Sequence, residues 1–269
     1  MLELFSYAFM QRAFIAALVV GVVSPVIGTF IVMRRLAFIG DTLSHTALAG
    51  VAIGITFGIN PIIGGMMIAV LSALGINKLR EEYKNFEELA MLVIMSAGMG
   101  LAVVLISLSG GFTTSISTYL FGSIVAVTKL DLAAILLMAA IILAVVFLLY
   151  KELLYISFDE ESVKISGIKH RMINLIFMIL IALTIAVSMR IVGILLVSSM
   201  MIIPVATGLL IAKSFRQTLW LAILLAEAAS ISGFVIAYYF NIASGGTIVL
   251  VSVAILLVTL LVKRLSTNS

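Results

Sequence analysis

An all-α, polytopic membrane protein of eight or nine transmembrane helices is the fold class this sequence predicts, on three observations. The 269 residues are 64% hydrophobic and 10% charged, with a mean hydropathy of +1.34, whereas a soluble domain carries about 25% charged residues. Apolar stretches long enough to cross a bilayer, about 18 residues or more, recur along the whole chain. Basic residues gather in short clusters between those stretches, so the net charge of +4 reads as membrane topology and not as a nucleic-acid surface.

Nine spans are expected, near residues 11–33, 42–58, 61–77, 89–108, 132–150, 172–189, 191–212, 219–240 and 247–262. The first apolar run is too long for a signal-peptide core and has no convincing cleavage site, so it is read as a retained span. Pro61 follows Asn60 at a tight turn, while Pro25 and Pro204 lie inside spans, where each removes a backbone donor and bends its helix. Residues 110–128 are too rich in Thr, Ser and Gly to face lipid along their length, and a short half-inserted helix is expected there. The longest connection, KELLYISFDEESVKISGIKHR at 151–171, carries both charge signs; Asp159 is placed to cap a short helix and Gly167 to end it. Nothing left over is long enough for a separate soluble domain, so residues 1–269 form one transmembrane domain.

Orientation follows from the basic residues. With Arg34 and Arg35 inside, an odd span count puts all but Arg12, Lys129 and Arg190 of the 16 Lys and Arg on that same side. The amino terminus is then outside and the carboxyl terminus inside.

Inside a span an ionisable side chain costs several kcal/mol unless paired, so each is a functional candidate by default. Asp41 and His45 are four residues apart and share one helix face. A carboxylate oxygen and an imidazole nitrogen so placed suit a borderline divalent cation such as zinc, and a second copy across a two-fold axis would double the ligand count. Two structural readings stand beside this one: Asp41, after Gly40, as a helix cap, and His45 as a hydrogen-bond partner of a neighbouring span. Glu227 lies mid-span among Ala226, Ala228 and Ala229 and is read first as a structural carboxyl, with a relay or ligand as the alternative. Asp131, near Lys129, is read as a solvated or interfacial residue. The 14 methionines show no ligand spacing, which removes the support for copper, and with no cysteine there are no thiolate ligands. No P-loop, HExxH or nucleophile elbow occurs, so an ATPase or an intramembrane protease within this chain has no support.

At MRRLAFIGDTLSHTALAGVAIG, residues 33–54, the chain resembles the ABC-3 family of metal-ion permeases, matching it at Arg34, Arg35, Asp41, Ser44, His45, Gly50 and Ala52. YLFGSI at 119–124, SFDEESVKISGI at 157–168, VGILLVSSMMIIPVATGLLIA at 192–212 and SGGTIVL at 244–250 resemble further family elements in the same order. The resemblance implies a homodimeric permease with a fold similar to the vitamin B12-type importers. It implies no resident cofactor, a transported zinc or manganese ion, and Asp41 and His45 facing the translocation path. It also implies cytoplasmic ATP-binding subunits docked on the segment with Asp159, Glu160, Glu161 and Gly167. An extracellular lipoprotein or periplasmic protein would deliver the ion to a multi-pass protein of a bacterial cell membrane, its spans bathed in lipid. Threonine after Asp41 and the lack of a proline before Gly50 favour the zinc branch. The competing expectations are a proton-coupled secondary metal transporter using Glu227, or a permease for an iron-chelate or cobalamin.

Overall fold

The computed structural model describes residues 7–82, 87–109, 111, 114–123, 127–159, 162–163, 167 and 169–267. Regular structure among them is helical throughout: α1 (Ala8–Met33), α2 (Ala37–Thr56), α3 (Pro61–Glu82), α4 (Glu87–Leu108), α5 (Thr114–Phe121), α6 (Lys129–Leu148), α7 (Tyr150–Phe158), α8 (His170–Ser188), a 3-10 turn (Ile194–Leu196), α9 (Val197–Ile211), α10 (Phe215–Phe240) and α11 (Ser244–Thr267). Nine helical stretches among the described residues are long and apolar enough to cross a membrane.

The bundle is organised around α1. Its sequence is apolar on every face, so it is buried, with α6, α8, α9 and α10 packed about it. Small residues set the spacing, as expected where lipid gives helices no hydrophobic reason to associate. A Cβ added to Gly28 would lie 1.8 Å from the Met201 carbonyl oxygen, so only glycine lets α9 approach α1 there. The hairpin of α2 and α3 closes the same way: a Cβ on Gly50 would lie 2.2 Å from the Gly64 carbonyl oxygen, and one on Gly64 would lie 2.3 Å from that of Gly50. Pro61 opens α3 at its first position, with Asn60 Oδ1 accepting from the Ile62 amide at 3.0 Å.

One end of the bundle is tied by aromatic and basic groups. Phe30, Tyr150, Phe177 and Phe215 stack with ring centroids 5.2 to 6.2 Å apart. The Arg34 guanidinium lies 4.9 Å from the Phe177 ring and donates to Asn174 Oδ1. Lys263 Nζ donates to the Leu210 carbonyl at 2.7 Å.

The span expected at 191–212 starts three residues later, at Ile194, and opens on the 3-10 turn. α8 ends at Ser188, the chain turns through Gly193 at φ +88°, and helix resumes only at Ile194. Gly193 is required twice over: a Cβ there would meet the Leu120 carbonyl oxygen at 2.4 Å, and its φ disfavours any side chain. The break is filled by α5, the short helix anticipated within 110–128, and the Ser123 amide donates to the Arg190 carbonyl. Non-helical backbone is thus covered by protein, as a bilayer demands.

Candidate functional site

Arg34, Arg35 and Leu36 reverse the chain between α1 and α2, with the Leu36 amide bonded to the Ile31 carbonyl at 2.9 Å. α2 then starts at Ala37, which puts Asp41 in its second turn and His45 one turn further. The helix start at Ala37 removes the capping role for Asp41: the cap of this helix uses no side chain at all. His45 likewise finds no neighbouring span, its Nδ1 being buried with no hydrogen-bond partner among the described residues.

The hydroxyls beside this pair are committed to their own helix. Thr42 donates to the Phe38 carbonyl at 3.0 Å, Ser44 to that of Gly40 at 2.8 Å, and Thr46 to that of Leu43 at 3.1 Å. Asp41 and His45 are not. His45 Nε2 lies 3.8 Å from Asp41 Oδ1, so the two side chains share a face without a hydrogen bond between them. The Asp41 side chain is 46% exposed, against 17% for His45. α9 supplies a third group that sequence reasoning missed: Ser198, itself buried, donates from Oγ to Asp41 Oδ1 at 3.3 Å. Nothing in SSMM marks that serine; only the break before α9 brings it to α2.

This arrangement offers the two carboxylate oxygens of Asp41, the Ser198 hydroxyl and one His45 nitrogen from a single chain. No group of three or more His, Cys, Asp or Glu side chains with metal-holding geometry occurs among the described residues. A divalent ion would be incompletely enclosed here, as suits a site that must release it.

Glu227 stands apart, on α10 against α1. A Cβ on Gly21 would lie 2.7 Å from Glu227 Oε1, and both carboxyl oxygens are buried without a partner among the described residues. No hydrogen bond joins it to Asp41 or His45 among the described residues. Asp131 requires a correction. It is buried, not solvated, and its partner is Arg190, not Lys129: Arg190 Nη2 lies 3.1 Å from Asp131 Oδ2. The Asp131 carboxylate also closes a capping box with Thr128, and the Arg190 guanidinium lies 5.0 Å from the Tyr119 ring. The clue in sequence was Arg190 itself, one of three basic residues on the side that basic residues avoid.

In the connection after α7, Asp159 Oδ1 accepts from the Ser162 amide at 2.9 Å, the capping role expected of it, and Gly167 has φ +77°. Glu160 and Glu161 lie outside the described residues.

The profile of the ABC 3 transport family matches residues 6–263. A Treponema pallidum membrane protein assigned to a metal transport system is 39% identical over 254 residues, 94% of this chain and 95% of its own length. The manganese transport system membrane protein MntC of Listeria monocytogenes is 34% identical over 258 residues, 96% of this chain and 92% of its own. Among solved structures, PsaBC from Streptococcus pneumoniae, in complex with Fab, matches with a TM-score of 0.85 at 32% identity, covering 96% of this chain and 92% of that one.

Proposed function

The chain belongs to the ABC 3 transport family, and from that premise we propose that it is the membrane-spanning subunit of an ABC importer for a divalent metal ion, with manganese the preferred cargo. The observation that carries this reading is the 46% exposure of Asp41 on a helix that is otherwise mostly buried. A carboxylate facing lipid is costly, so an exposed one inside a span belongs to a wet path or to an interface with a second copy. His45, one turn away, adds a nitrogen donor, and a homodimer would bring two such pairs together. Manganese is preferred because the Listeria relative named for an ion is named for that one, and because Asp41 and Ser198 weight the donors towards oxygen. The zinc preference drawn from the threonine after Asp41 has no such support.

The ion passes from the binding protein into a path lined by Asp41 and His45, which replace part of its hydration. ATP binding and hydrolysis on separate subunits, docked at the basic end around α7 and Asp159, bias the paired chains between outward- and inward-open states. The basic end is cytoplasmic and the amino terminus outside. The chain itself carries out no chemistry on the ion. The test is metal uptake in cells lacking their own manganese and zinc importers, supplied with this chain, its ATPase and its binding protein. Manganese uptake is expected, falling to background with Asp41→Ala and with His45→Ala at matched membrane levels. Native uptake in both variants would refute the path.

A further inference from the structure

We propose that Ser198 is the positioning residue of this path, holding Asp41 in place and thereby setting the preference between hard and softer divalent ions; the inference rests on the Asp41–His45 reading. Its hydroxyl reaches a carboxylate on another helix. Thr29, Thr184 and Thr207 bond back to their own helix four residues earlier, to the Pro25, Leu180 and Ile203 carbonyls at 2.7 to 2.8 Å, while Ser24 meets the Ser188 hydroxyl at 3.2 Å and Ser244 the Ile191 carbonyl at 3.3 Å, both neutral partners. Ser198 instead crosses from α9 to α2 and donates to Asp41 Oδ1.

Two features of the fold deliver it. Residues 189–193 leave the helical path, so α9 begins beside α2 and Ser198 falls in its first turn. On the other side stands Gly40, where an added Cβ would lie 3.5 Å from Ser198 Cβ, so the two helices are already in contact at this level.

The consequence for the ion follows from donor chemistry. Asp41 is half exposed and has no lysine or arginine paired with it among the described residues, so the Ser198 hydroxyl is the hydrogen-bond donor that restrains its rotamer. Groups that orient a ligand in this way are worth about 10–100-fold in metal affinity. Manganese depends on oxygen donors more than zinc does, and zinc retains the His45 imidazole. Loss of the hydroxyl should therefore cost manganese more than zinc.

The test compares Ser198→Thr with Ser198→Val in the complete transporter, since the two side chains have nearly the same shape and only threonine keeps the hydroxyl. Manganese and zinc uptake are measured together at equal membrane levels, with Asp41→Ala and His45→Ala alongside. The threonine variant is expected within about twofold of native. The valine variant should lose about tenfold in manganese uptake, with a clear fall in the manganese-to-zinc ratio. Native-like uptake by Ser198→Val overturns the proposal, as does equal loss in both variants, or loss of both metals in proportion. Native-like uptake by Asp41→Ala and His45→Ala marks a different failure, that of the metal path itself, which takes the proposal with it.

Discussion

Arg190 and Asp131 form a buried ion pair, 3.1 Å between Nη2 and Oδ2, that joins the end of α8 to the start of α6. Tyr119 of α5 lies over the same guanidinium, so three segments meet on one charge. Removing one partner leaves the other buried and uncompensated, which typically costs about 3–5 kcal/mol. Asp131→Ala should therefore lower the thermal midpoint of the purified chain markedly. Replacing both partners, as Asp131→Leu with Arg190→Met, should recover much of that loss. A double variant no better than the single would show that the pair is not the unit that matters.

Gly21 and Glu227 make a second pair, on α1 and α10. Gly21→Ala sets a methyl 2.7 Å from Glu227 Oε1 and should cost about 1–3 kcal/mol through overpacking. Adding Glu227→Ala should restore the folded yield, because the obstacle is then gone. Glu227→Gln keeps the shape of the side chain and should transport at more than half the native rate. Abolished uptake by a well-folded Glu227→Gln would instead favour the proton carrier of a secondary transporter.

The helix crossings depend on glycine in a graded way. Gly50→Ala drives a Cβ to 2.2 Å from a backbone carbonyl that cannot move aside, whereas Gly100 has nothing within 4 Å. Gly50→Ala should abolish the folded product by size-exclusion profile, and Gly100→Ala should leave it unchanged.

At the basic end, Phe158 is exposed and stacks at 6.2 Å on Phe215, immediately before the Asp159 turn. If ATPase subunits dock there, Phe158→Asp should uncouple the transporter. ATP hydrolysis by the assembled complex is expected to persist while metal uptake falls at least tenfold, on the order expected for a site whose coupling is worth about 1–3 kcal/mol. Unchanged uptake would move the coupling surface elsewhere.

Span number and order were legible from hydropathy, because each helix needs about 20 apolar residues whatever its neighbours are. The Asp41–His45 pair was legible from its spacing and from the family motif around it. What hydropathy could not show was where the connection between these two spans ends: VGILL at 192–196 is as apolar as any helix, and Gly193, wedged against the Leu120 carbonyl, delays the next helix to Ile194. Ser198 was hidden for the same reason, since its partner lies 157 positions away. Asp131 was misjudged because Lys129 is close in sequence while Arg190 is close only in space.

The central claim is that Asp41 faces a water-filled path and not lipid. The native chain contains no cysteine, so Asp41→Cys introduces a single thiol into an otherwise thiol-free subunit. The most direct measurement is its modification by a small hydrophilic methanethiosulfonate reagent in membranes, beside Val103→Cys on the exposed apolar face of α4, where the native side chain is 62% exposed. The path predicts rapid labelling at 41 and none at 103. Equal lack of labelling at both positions would place Asp41 against lipid or within a dry interface, and would contradict the account.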